Sequence, residues 1–176
     1  MSISTHLTPD PERRLLTLLE SMRRAVGWTE KKIGALTAFA AAQLAFVRVT
    51  APAGPPGFLA MIALGAAMAL GVFAFSPLTG KPGWIPFLEP PRDIHRSDDC
   101  LVSADDLAKY SRSELVLLLD QYLGGGITAT RYYEDLVGQI VINARIATRK
   151  RRLFRIACVL VGLAQLCLLA LVFWPQ

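Results

Sequence analysis

Sulfur and imidazole are scarce in this chain: three cysteines and two histidines in 176 residues. Cys100, Cys158 and Cys167 form no CxxC pair, and two of them lie inside one apolar run. That pattern argues against a disulfide framework or a zinc site. His6 and His95 have no nearby serine or cysteine arrangement that suggests a triad or dyad. No catalytic residues are therefore assigned, and an enzyme is not expected. The acidic cluster Asp98-Asp99 with Asp105-Asp106 lacks the alternation and closing glutamate of an EF-hand. It reads as solvated surface and helix capping, and no metal ligands or cofactors are assigned. Gly124-Gly125-Gly126 lacks the lysine and hydroxyl of a phosphate loop, so it reads as a helix stop and hinge.

Charge is also thin, at 19% of residues against 53% hydrophobic, and the mean hydropathy is +0.40. The length permits one domain, or a small domain plus a few membrane spans. The net charge of +5 suits a membrane surface or an anionic ligand. Nucleic acid is not expected as a partner, because most of the positive charge flanks apolar segments.

Three apolar segments stand out. Residues 153–174, LFRIACVLVGLAQLCLLALVFW, are apolar apart from Arg155 and Gln165. At about 1.5 Å per residue they reach about 33 Å, enough for a hydrocarbon core of about 30 Å. Residues 56–78 carry no charge, and residues 33–49 are shorter and rich in alanine. Residues 50–55, TAPAGP, form a Pro/Gly turn, so the first two segments pair as a hairpin. Two other readings compete. One is burial inside a soluble protein, which the length and uniformity of the last segment oppose. The other is a signal peptide cleaved near Ala51-Pro52-Ala53, which the long acid-bearing segment ahead of residue 33 opposes.

Basic residues set an expected orientation. Arg13, Arg14, Arg23, Arg24, Lys31 and Lys32 precede the first span, and the segment between the second and third spans is also rich in Lys and Arg. Only Arg48 borders the hairpin turn. The N-terminus and the long middle segment are thus expected in the cytoplasm, with Trp28, Trp84 and Phe154 near the inner interface.

The fold class expected is an all-α membrane protein: three transmembrane helices with a cytoplasmic helical bundle. Residues 1–32 read as a cytoplasmic amphipathic helix, with Asp10 capping, Pro11 at the first position and a stripe of Leu15, Leu18, Leu19, Met22 and Val26. That stripe either lies on the membrane or packs on the middle domain, and packing is preferred. Residues 79–152 read as a cytoplasmic helical domain, opening in a proline-rich linker. Ser103 with Asp106 and Ser111 with Glu114 have capping-box spacing, predicting helices near 104–110 and 112–123. From about Thr128 a stripe of Tyr133, Leu136, Val137, Ile140, Ala144 and Ala147 runs on without a breaker. One helix of about 65–70 Å is expected to leave the cytoplasmic domain and become the third span, ending in an outer tail at 175–176. Such a helix is a candidate lever. The run Arg149–Arg152 reads first as the positive-inside anchor of that span. Gly65/Ala69, Ala67/Gly71 and Gly34/Ala38 have small-xxx-small spacing, for packing within the hairpin or against a second copy.

Two stretches carry a family likeness. Trp28–Leu36, WTEKKIGAL, leads into the first span, and Tyr133–Ala157 supplies Asp135, Gln139, Asn143, Ala144 and Lys150 ahead of the last. With the order of an N-terminal helix, a hairpin of spans, a helical insert and a final span, the chain resembles the transmembrane effectors of Pycsar-type anti-phage defence. The likeness covers residues 12–174. Members usually have Asp-x-Lys where this chain has Glu30-Lys31-Lys32, and the stretch 90–107 departs from the family pattern. The resemblance implies a membrane effector of abortive infection. It would be activated by cyclic UMP or cyclic CMP from a partner pyrimidine cyclase, and would impair the bacterial inner membrane. Its ligand-binding candidates are Glu30, Lys32, Gln139, Asn143 and Lys150, which alternatively make interhelical hydrogen bonds and salt bridges. The expected partners are the lipid bilayer, further copies of the chain and the nucleotide signal. A constitutive holin-like protein and an inert membrane scaffold are the alternatives.

Overall fold

The computed structural model describes residues 11–50, 54–76, 100–123 and 131–173. These are 92% helical and contain no strand. The elements are α1 (Pro11–Thr50), α2 (Pro55–Phe75), α3 (Ala104–Leu107), α4 (Arg112–Leu123) and α5 (Arg131–Phe173). The expected cap Asp10, the glycine run at 124–126 and most of the proline-rich linker lie outside the described residues.

Local chemistry explains the boundaries. α1 starts on Pro11, whose fixed φ and missing N–H suit a first helical position, and meets no further proline over 40 residues. α2 likewise opens on Pro55-Pro56 after an extended Gly54. It stops at Ser76, immediately before Pro77, which disfavours helical geometry at the residue ahead of it. α4 begins with a reciprocal capping box. The Ser111 amide donates to Glu114 Oε2 at 2.7 Å, and the Glu114 amide to Ser111 Oγ at 3.3 Å. The matching box expected at Ser103 does not form: Ser103 makes no side-chain cap bond. Asp106 instead accepts from the Cys100 amide at 3.3 Å and pairs with Lys109 at 2.8 Å. α3 is correspondingly short. α5 is a single helix of 43 residues, about 65 Å long.

The chain divides into two compact units. The first comprises residues 1–27 and 82–149, the second residues 28–81 and 150–176. In the first, the α1 stripe of Leu15, Leu19 and Met22 is buried with Leu107, Leu115 and the α5 residues Val137, Ile140, Ala144 and Ala147. The amphipathic N-terminal stripe thus packs on protein. Polar contacts tie the pieces. Arg145 donates to the Ala108 and Tyr110 carbonyls at 3.4 and 3.0 Å, satisfying acceptors that the end of a short helix leaves open. Buried Thr148 donates to Asp105 Oδ1 at 3.0 Å. Arg112 pairs with Asp135 at 3.0 Å and Glu134 at 3.4 Å, joining α4 to α5.

The second unit holds the later part of α1, all of α2 and the later part of α5. Its core is built of small residues: Ala40, Ala60, Ala67 and Ala164, with Val47, Leu64 and Val161. Gly71 permits the closest approach, since a Cβ there would overlap the Thr37 hydroxyl and come within 3.1 Å of Thr37 Cβ. Gly65, by contrast, has open space where a Cβ would stand. The Ala67/Gly71 pair therefore serves packing within the chain. Among the described residues three helices are long and apolar enough to cross a membrane, and only 17%, 28% and 22% of their most apolar windows is buried within the protein. Phe46, Phe58, Ile62, Val159 and Leu166 point outward and are more than half exposed. So much outward apolar surface requires lipid around it.

Candidate functional site

The five candidate residues fall in both units. In the first unit Asn143 Nδ2 donates to the Gln139 backbone carbonyl at 2.8 Å, one helical turn away. Gln139 is exposed, and its Oε1 accepts a long bond from the Arg23 guanidinium at 3.4 Å. This exposed patch thus joins one cation to two carboxamide groups. Arg23 counted in the sequence only as an orientation signal, because its partner lies 116 positions away. Leu19 and Met22 are buried in the core of this unit, while Arg23, at the edge of that stripe, stays exposed.

In the second unit Lys150 forms an ion pair with Glu30. The lysine side chain is 7% exposed and the glutamate 41%. Lys150 directs its ammonium into the protein, as a link between α1 and α5. Lys32 stands apart from that pair, over the Trp28 ring at 5.4 Å from its centroid. Both are exposed, and their spacing of four residues is what brings cation and ring together on one helix face. A narrow apolar crevice beside them, lined by Ile33, Thr37, Gly71, Leu153, Phe154 and Ala157, leaves no room for a water molecule. No group of three metal-ligating side chains occurs among the described residues.

The motif acid Asp135 has a structural task, since it holds Arg112 of α4. Gly138 lies under the same arginine: a Cβ there would sit 3.5 Å from Arg112 Cδ and Nε. Thr148 and Arg145 complete the contacts between α5 and the α3 region, and neither has a sequence signature that names its partner.

These features define a helical membrane protein with one compact polar-faced unit and one unit of span-length apolar helices. The profile of the Pycsar effector protein domain matches residues 14–175, and the chain belongs to that family. It is an effector of Pycsar-type anti-phage defence, and membership implies a nucleotide cyclase as its partner. The searches of curated proteins and of solved structures returned no match.

Proposed function

We propose that the protein is the membrane-acting output of its defence system. Infection prompts the cyclase to make a cyclic pyrimidine mononucleotide, cyclic UMP or cyclic CMP. The effector binds it and impairs the inner membrane, and the cell stops before phage matures. The effector acts by binding and rearrangement and catalyses no reaction. The observation that carries this reading is one chain that joins membership of the effector family to an exposed cation-and-amide patch and three lipid-facing helices.

Arg23, Gln139 and Asn143 supply the donor set the ligand needs. A cyclic mononucleotide bears one negative charge, which a guanidinium meets with paired N–H donors. A pyrimidine edge offers carbonyl and ring-nitrogen acceptors or an amino donor, and carboxamides complement both kinds. The 3.4 Å Arg23–Gln139 contact is long for a hydrogen bond, so little is lost when a ligand replaces it. Glu30 and Lys150 neutralise each other and hold the resting span bundle, while Lys32 adds a cation for headgroup phosphates. The basic residues ahead of the first span favour a multi-pass arrangement with the N-terminus in the cytoplasm, where the cyclase product is made. Active chains associate, since three spans enclose no large pore.

The test uses the full chain in dye-loaded liposomes, with calorimetry of the detergent-purified protein. Cyclic UMP or cyclic CMP at micromolar concentration is expected to bind and to release dye, and Arg23→Ala to weaken binding. Absence of any change in leakage or oligomer size with either nucleotide refutes the reading. Prompt killing on induction without a cyclase refutes the ligand dependence.

A further inference from the structure

The second unit contains two polar side chains that packing alone does not account for. Gln43 of α1 and Gln165 of α5 lie within the apolar spans. Gln43 Oε1 and Gln165 Nε2 are shut off from the surface and have no hydrogen-bond partner among the described residues. Close to them in sequence are Ala40, Leu44, Ala164 and Leu168, which belong to or pack against the apolar core of this unit. Buried polar atoms are rarely left in this state, and the cost is higher in lipid, where no water reaches them.

The two glutamines stand at matching depth. Glu30 pairs with Lys150, Ile33 and Thr37 line one crevice with Leu153 and Ala157, and Ala40 and Val47 share a core with Val161 and Ala164. α1 and α5 therefore run in the same direction through this unit. Gln43 lies about 20 Å along α1 from Glu30, and Gln165 about 22 Å along α5 from Lys150, at about 1.5 Å per residue. Counted from Ile33 and Leu153, they sit about 15 and 18 Å into a hydrocarbon core about 30 Å thick. Both carboxamides thus fall near the bilayer midplane, where polar side chains mark pathways for water and ions. Four of the seven buried core residues of this unit are alanines, short side chains that a small separation of the helices would part to admit water.

We propose that Gln43 and Gln165 form the polar waist of a pathway for water and small monovalent ions. It is sealed in the arrangement described and opens when the spans part. The proposal rests on the membrane-impairing reading above and specifies its lesion as a narrow conduit. In the sealed state the unpartnered amides raise the energy of the closed bundle. In the open state water and passing cations satisfy them.

The experiment uses the full chain in liposomes loaded with potassium and a large dye, with cyclic UMP or cyclic CMP as the trigger. Potassium is expected to leave well ahead of the dye. Gln43→Leu combined with Gln165→Leu is expected to cut the triggered potassium flux roughly tenfold, with nucleotide binding unchanged. Gln165→Asn is expected to retain the flux. In planar bilayers under a salt gradient, Gln43→Glu is expected to move the reversal potential toward that of potassium. An amide that merely staples two helices would leave the reversal potential where it was. Triggered flux that is equal in wild type and the double leucine variant, or an unmoved reversal potential in Gln43→Glu, overturns the conduit and leaves the membrane-impairing reading intact. Dye and potassium escaping together do the same. A wild-type protein that releases neither with nucleotide overturns both.

Discussion

The Glu30–Lys150 ion pair offers the sharpest quantitative test of how the spans are held. Lys150 is almost fully enclosed, while Glu30 keeps 41% of its side chain exposed. Removing one partner of a fully buried pair costs about 3–5 kcal/mol, because a charge is left uncompensated. An exposed pair is worth about 0.2–1 kcal/mol. With one end wet, Glu30→Gln should cost about 1–3 kcal/mol. For a protein of this size that is a fall of between about 2 and 10 °C in the thermal midpoint. Replacing both groups by apolar ones, Glu30→Leu with Lys150→Met, should cost less than Glu30→Gln alone, since no charge is then buried. Thermal unfolding of detergent-purified wild type, Glu30→Leu, Lys150→Met and the double variant forms a double-mutant cycle that measures the coupling, with Glu30→Gln measured alongside. A coupling below about 0.3 kcal/mol refutes the reasoning, because it is what distant, independent sites give. A double apolar variant weaker than Glu30→Gln refutes it as well.

Two further outcomes are expected. Gly71→Ala should destabilise the span bundle by about 1–3 kcal/mol through overlap with Thr37, while Gly65→Ala is neutral; thermal unfolding of both, with Thr37→Ala added to rescue Gly71→Ala, checks this. The Glu20 carboxyl is held below the usual carboxylate range by the hydrogen bond and charge of Arg24. Its small contribution should therefore be present above the ordinary carboxylate pKa, fade as pH falls through the lowered one and vanish in high salt, which an acid titration of wild type against Glu20→Gln detects.

The long helices were legible because nothing interrupts them. No proline or glycine pair breaks the chain between Arg131 and Phe173, and the stripe from Tyr133 to Ala147 is buried as its spacing predicts. The capping box at Ser111 was legible for the same local reason. The one at Ser103 was not, because Asp106 has two competing partners, Lys109 and the Cys100 amide, and spacing does not rank them. At the candidate site, the pairing of Gln139 with Asn143 follows from helical spacing. Arg23 and the Glu30–Lys150 link depend on which helix meets which, across 116 and 120 residues, and no local pattern encodes that. The empty pairing of Gln43 and Gln165 needed burial to be known atom by atom.

The alanine-rich seam among the spans has a consequence for how firmly they hold together. Methyl groups interlock well but grip weakly, and surrounding lipid tails replace their contacts almost one for one. A bundle closed in this way rests quietly yet yields to a modest push. That is the resting state the proposed mechanism calls for.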